Sequence, residues 1–256
     1  MPPVEHVKPY VHEDEMSRSL HFSIHEIQSR MRVLKPDTLT LRYTRTMMGF
    51  LMFNPRPQSI AMVGLGGGSL AKFCHRHLPD SRMDVVEINP HVIALRDTFC
   101  LPPDGPRFSV IAADGAQFVR EPPRPYDVLL LDGFDDQGLP AQLSSLRFYR
   151  DCARALQPGG ILVANFPAGS RNVKACISRI KRSFGDAVLQ LGHQDLDNVI
   201  VFAFKLDAGH ALASRIGVIG RTQGLDNEAW EALMPAFADI AKVWNETLAQ
   251  ATTASR

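Results

Sequence analysis

The sequence predicts an α/β fold: a mostly parallel seven-stranded sheet that ends in an antiparallel hairpin, with helices on both faces. Three observations carry this expectation. Continuous apolar runs recur between residues 59 and 205, at SIAMVGL, MDVVEI, FSVIAAD, YDVLLLD and GILVANF, then at VLQLG and NVIVFAFK. Helix-sized stretches lie between most of them, and strands that are apolar along their whole length belong to a parallel sheet covered on both sides. No helix-sized stretch separates VLQLG from NVIVFAFK, so these two form the hairpin.

The elements follow in order. Residues 1–55 form a small N-terminal segment that opens polar and His-rich. It then gives a short strand-like run, HFSIHEIQS, and a Met-rich stretch, TLTLRYTRTMMGFLMF, whose apolar spacing suits a helix. Residues 56–206 hold the alternating unit. Its helices are expected at SLAKFCHRHL, NPHVIALRDTF, SSLRFYRDCARAL and SRNVKACISRIKRSF, with another starting near Gly115. Residues 207–256 are a C-terminal helical extension. There Trp230, Leu233, Phe237, Ile240, Ala241 and Trp244 recur at spacings of three and four, the stripe of a helix packed on the edge of the domain.

The charge balance excludes some functions. Lys and Arg total 28 against 27 acids, a net charge of +1, which argues for neither nucleic acid nor an anionic membrane as partner. Four dispersed cysteines form no CxxC pair, the first residues lack the apolar core of a signal peptide, and no run reaches the ~18 apolar residues of a membrane span. The chain reads as cytoplasmic with reduced thiols. Cys74 and His77 in CHRH share one helix face but have no second ligand cluster, so packing is expected there and no metal.

In open α/β sheets ligands bind beyond the carboxyl ends of the strands, where strand order reverses, so the residues that end each apolar run are the informative ones. The first run ends in Gly64-Leu65-Gly66-Gly67-Gly68. That loop is either a tight turn or the floor beneath a nucleotide. The second ends at Glu87, about twenty residues on. A carboxylate at that spacing suits two ribose hydroxyls, against the alternative of a solvated glutamate. The third ends at Asp114, placed either to accept from an adenine amino group, to cap the helix at Gly115, or both. The fourth ends in DGFDDQGLP, whose Asp132, Asp135 and Asp136 crowd the mouth of the site. Clustered acids raise one another's pKa and make one a proton acceptor near neutral pH; the alternative is an acidic loop that caps the next helix. A dinucleotide oxidoreductase fits poorly, because Ser69 stands where the third glycine of GxGxxG belongs. A Rossmann-like domain that binds an S-adenosyl sulfonium donor fits better.

At this point the chain resembles the spermidine synthase family, the polyamine aminopropyltransferases, from about Ser59 to Phe166. The likeness rests on VGLGGGS, VVEINP, RFSVIAADGAQFV, YDVLLLDGFDD, LPAQLSSLRFY and ALQPGGILV. It implies the S-adenosylmethionine-dependent transferase fold and decarboxylated S-adenosylmethionine as donor. It further implies a polyamine such as putrescine as acceptor, Asp132 as the base and Asp135 as a holder of an ammonium. The implied donor pocket comprises Gly64, Gly66, Gly67, Gly68, Glu87, Ile88, Asp114, Gly115 and Asp132. On the acceptor side stand Gln28, Tyr43, Asp135, Asp136 and Asn165. A second copy of the chain is a candidate partner.

The pattern breaks in four places. The family's glycine loop carries an aspartate where this chain has Gly67. Its tyrosine-histidine-glutamate segment is matched at best by Tyr43, Thr44 and Arg45, which brings a positive charge. Its glutamine and acid after strand five become Ala164, Asn165 and Phe166, and the proline of D-x-x-D-P is Asp136. Three readings stay open: an aminopropyltransferase with an unusual acceptor, a methyltransferase using S-adenosylmethionine itself, and a non-catalytic nucleoside-binding homologue.

Overall fold

The computed structural model describes residues 6–23, 27–134, 138–169, 172–185, 187–192, 198–206 and 224–254. Two sheets organise the chain. The small one is antiparallel and three-stranded, β1 (Tyr10–Glu13), β2 (Ser17–His21) and β3 (Ser29–Arg32), in that order. The strand-like run HFSIHEIQS thus spans the end of one strand and the start of the next. In the Met-rich stretch, helix α1 (Arg42–Met47) continues as a 3₁₀ turn over Met48–Met52.

The large sheet has the seven expected strands: β4 (Ser59–Val63), β5 (Arg82–Glu87), β6 (Phe108–Ala112), β7 (Tyr126–Leu131), β8 (Leu156–Pro167), β9 (Val188–Leu191) and β10 (Asn198–Phe204). Their spatial order is β6-β5-β4-β7-β8-β10-β9. The pairs from β6 through β8 are parallel, while β10 runs antiparallel to both β8 and β9.

Period-two alternation with both faces covered explains the apolar runs of the central strands β4, β7 and β8. Ile60, Met62, Val128, Leu130, Ile161 and Val163 face one core layer, and Ala61, Val63, Leu129, Leu131, Leu162 and Ala164 face the other. The first layer is closed by α2 (Ser69–His77), the 3₁₀ turn and the long C-terminal helix α7 (Asn227–Ala254). Of the predicted α7 stripe, Leu233, Phe237, Ile240 and Trp244 are buried and Trp230 packs on the layer's edge. Each fully buried side chain of this size contributes about 1.5–3 kcal/mol. The second layer is closed by α4 (Gly115–Arg120), α5 (Leu146–Ala155) and α6 (Val173–Phe184).

One element departs from expectation. NPHVIALRDTF gives only a single α-helical turn, α3 (Pro90–Ile93), capped by Asn89, whose Oδ1 accepts from the His91 amide. The backbone bonds then tighten to three-residue spacing, from Leu95 to Val92 and from Arg96 to Ile93. Cys100 ends the segment at a left-handed φ of 55°. This shortened course aims Phe99 and Leu101 at the glycine loop. No helix of the described residues is long and apolar enough to cross a membrane.

Candidate active site

From β4 the chain builds β5 and β6 on one side, then crosses to build β7 and β8 on the other. The carboxyl ends of β4 and β7 therefore flank a crevice, and a cleft of about 1650 Å³ opens there. The glycine loop forms part of its floor. Gly64, Gly66 and Gly68 all have positive φ, at 93°, 52° and 68°. At Gly64 this is needed twice over: a methyl group there would overlap the carbonyl oxygen of Asp132 and lie 2.8 Å from Gly133 Cα. The loop thus rests directly on the chain that carries the candidate base.

Glu87 is not a solvated glutamate. Its side chain is buried, Oε2 accepts from the Leu65 amide at 2.9 Å and Oε1 from the Asn89 amide at 2.8 Å. The carboxylate is locked to the glycine loop, with a further lone pair on each oxygen. Beside it Ile88 is exposed toward the cleft. Asp114 caps α4 through Oδ1, which accepts from the Ala116 amide at 2.7 Å, and also lines the cleft. Gly115 packs against Val63 so closely that a side chain would collide with it.

Asp132 follows β7 and meets the cleft from the middle. Its Oδ1 accepts from Asn165 Nδ2 at 2.8 Å and its Oδ2 from the Tyr43 hydroxyl at 3.2 Å. Part of the residue faces the open cleft, yet the carboxyl sits deep beneath the surface. Removal from bulk water pushes it up to about 6, and the two donated hydrogen bonds oppose that rise. Burial and the neighbouring Asp132 charge in turn push the Tyr43 phenol up.

Of the other expected residues, Gln28 lines the cleft, while Gly68 does not: it turns the chain into α2 and lies against Leu101. Asp135 and Asp136 lie outside the described residues. Phe148 and Tyr149 sit in the core beneath the cleft rather than on its wall. Arg45 is not the cation anticipated at the acceptor side. Arg42, Tyr43, Thr44 and Thr46 line the cleft, and Arg45 does not. Cys74 and His77 pack as expected: the thiol lies 3.9 Å from Met48 Sδ, burial pushes it up to about 12, and the His77 ring lies tilted against Phe73 with centroids 4.5 Å apart.

The structure also explains Gly67. A methyl group there would lie 2.6 Å from Ser29 Oγ and 3.0 Å from Phe99 Cδ1, so β3 and the turn after α3 fill the space a longer side chain would need. Ser29 Oγ in turn lies 3.3 Å from Ser69 Oγ. Beneath them the buried Lys72 ammonium donates to the Phe99 carbonyl at 2.7 Å and contacts Met31 Sδ at 3.0 Å; burial lowers it to about 8. Sequence inspection missed Ser29, Lys72 and Asn198. All three act through contacts between segments remote in sequence, and no local motif announces them.

Comparison with known proteins agrees with this geometry. The spermine/spermidine synthase domain model matches residues 40–184. The polyamine aminopropyltransferase of Neisseria meningitidis is 41% identical over 197 residues, covering 76% of this chain and 75% of that one. A crystal structure of a probable spermidine synthase from Corynebacterium glutamicum superposes with a TM-score of 0.67 at 21% identity, covering 89% of this chain and 90% of that one. Spermidine synthase in complex with the transition state analogue AdoDATO gives a TM-score of 0.57 at 21% identity, covering 90% and 85%. At such identities the solved structures speak to the fold, whereas the sequence matches speak to descent. The motif run from Ser59 to Phe166 is borne out, and the chain belongs to the spermine/spermidine synthase family.

Proposed function

We propose that the protein is an aminopropyltransferase that moves the aminopropyl group of decarboxylated S-adenosylmethionine onto an amine, with Asp132 as the base. The observation that carries this reading is the state of Asp132. Its carboxyl is oriented by Tyr43 and Asn165, lifted by burial to about 6, and placed where the glycine loop meets the acceptor side of the cleft. A general base works best with a pKa near the operating pH.

The adenosine would lie along the ends of β4, β5 and β6. Glu87 would accept from the ribose hydroxyls through the lone pairs its amide bonds leave. Ile88 offers an apolar face to the adenine, and Asp114 Oδ2 is left for the exocyclic amine while Oδ1 caps α4. The amine nitrogen attacks the carbon beside the sulfonium, the C–S bond breaks with its electron pair going to sulfur, and methylthioadenosine leaves. The attacking nitrogen gives its proton to Asp132. Orientation of the two reactants supplies most of the catalysis and can lower the barrier by roughly 7–11 kcal/mol.

Titration with methylthioadenosine, S-adenosylmethionine and its decarboxylated form, followed by turnover with putrescine and spermidine, tests the proposal. Binding of the decarboxylated donor and release of methylthioadenosine support it. Binding of the carboxylated donor alone, with methyl transfer, would overturn it, and so would binding of none of the three. A second expectation concerns Glu87→Ala. It leaves the Leu65 and Asn89 amides without acceptors, so it should cost on the order of 2 kcal/mol of stability and weaken methylthioadenosine about tenfold or more. Denaturant unfolding and calorimetric titration read both effects.

A further inference from the structure

The Tyr43–Asp132–Asn165 arrangement does not end at Asn165. Asn198, at the start of β10, donates from Nδ2 to Asn165 Oδ1 at 2.9 Å. In the antiparallel register Asn165 pairs with Ile200, so Asn198 is its diagonal neighbour on the same face, and both amides line the cleft.

We propose that Asn198 is a positioning residue for the transfer reaction, one that fixes which way the Asn165 amide points and thereby holds Asp132 as an oriented carboxylate. An asparagine amide is nearly symmetric in shape, and its orientation is set by the partners of its two ends. At the far end Asn198 Nδ2 donates to the carbonyl oxygen of Asn165, and at the near end the acceptor-only Asp132 carboxylate takes the Asn165 NH₂ on Oδ1, so the two partners together set the amide's orientation. Tyr43 holds Oδ2 from the opposite side, so the carboxylate plane is fixed and each oxygen keeps a lone pair for the incoming amine. Without Asn198 the Asn165 amide is oriented by Asp132 alone, and it can turn its carbonyl inward only when Asp132 holds a proton to donate.

The inference rests on the role of Asp132 as base proposed above. Of the described groups hydrogen-bonded into this chain, Tyr43 from α1 and Asp132 itself titrate; Asn165 from β8 and Asn198 from β10 do not. Among the described residues, the other carboxylates lining the cleft, Glu87 and Asp114, lie toward the ends of β5 and β6, and His6 and Arg42 also line it.

Asn198→Asp tests the idea because it keeps size and reverses polarity. The new carboxylate accepts, so Asn165 turns its NH₂ toward residue 198 and its carbonyl toward Asp132. The lost donor and the added negative charge both raise the Asp132 carboxyl. The acid limb of the kcat/KM profile is therefore expected to move alkaline by about one pH unit or more. Donor affinity should stay within about twofold, since Asn198 is remote from Glu87 and Asp114. Asn198→Ala should lower kcat about 10–100-fold at the plateau pH with donor KM unchanged, and it carries the test if the aspartate variant does not fold. An acid limb that stays in place, whether activity is kept or uniformly reduced, would overturn the proposal. Its failure is separable from that of the broader reading: turnover retained by Asp132→Asn refutes the base, whereas an inactive Asp132→Asn beside an unmoved Asn198→Asp profile refutes only the role of Asn198.

Discussion

Replacing Asp132 by asparagine is expected to lower turnover by about 10²–10⁴-fold and, at neutral pH, to make the protein more stable. The loss of turnover follows from the proton the attacking amine must give up. The neutral amide is a poor acceptor, while the glycine loop, Glu87 and Asp114 are untouched, so methylthioadenosine should bind almost as before.

The gain in stability follows from linkage. The Asp132 carboxyl stands at about 6 in the folded protein against 3.8 for the unperturbed group, raised chiefly by burial. A group whose folded pKa lies above its unfolded value favours the fold while protonated. That contribution is complete below about pH 4 and is lost as pH rises through 6. At pH 7 the ionised carboxylate therefore costs on the order of 2 kcal/mol. Asparagine avoids this cost and keeps the local hydrogen bonds: its carbonyl accepts from Asn165, and its NH₂ donates to the Tyr43 hydroxyl oxygen. For a chain of this size the melting temperature should rise by roughly 5 °C at pH 7, and the difference should vanish by pH 4. Melting curves of the two proteins from pH 4 to 8 check this, and a lower melting temperature for the variant at pH 7 would show that the carboxylate is not strained. The wild-type kcat/KM should correspondingly fall as pH drops through about 6, where the base becomes protonated. Stability given up at a working residue is a common trade in active sites.

Much of this site could be read from the sequence because it lies at strand ends. A buried parallel strand announces itself as an unbroken apolar run, and the residue that stops the run is placed at the crevice by topology alone. That is how Gly64, Glu87, Asp114 and Asp132 could be picked out. The same logic could not fix what each does. Asp114 looked like either an adenine contact or a helix cap, and the structure shows the cap without spending its second oxygen. What stayed hidden depends on packing between remote segments. Gly67 looked like a lost aspartate in sequence, whereas in space it is a position closed by Ser29, thirty-eight residues earlier in the chain by the numbering. The run after Glu87 has the composition of a three-turn helix. It stops after one, and Phe99 and Leu101 lie against the glycine loop, a tertiary contact that local propensity does not reveal.

Gly64→Ala is expected to be severely damaging for a single added methyl, with a loss of roughly 4 kcal/mol or more. Two independent costs add. A φ of 93° is strained for any residue with a Cβ, at about 1–3 kcal/mol. The added methyl would also overlap the Asp132 carbonyl oxygen and lie 2.7 Å from its carbonyl carbon, and these are backbone atoms that cannot rotate aside. The junction has little room to yield, because the Asp132 amide donates to the Val63 carbonyl at 2.9 Å and the Gly64 amide to the Val86 carbonyl at 2.8 Å. Relief requires β7 to shift away from β4, which carries Asp132 off the line of attack and removes turnover even in molecules that remain folded. Gly67→Ala provides the contrast. Its methyl would meet mainly the side chain of Ser29, at 2.6 Å from Oγ and 2.9 Å from Cβ. Ser29→Gly should therefore recover much of the stability lost at Gly67, while no side-chain truncation should rescue Gly64. Denaturant midpoints for the three single variants and the Gly67→Ala/Ser29→Gly pair decide the matter. If Gly64→Ala proved as mild as Gly67→Ala, the ends of β4 and β7 would be pliable, and a rigid seat for Asp132 could not be the source of its reactivity.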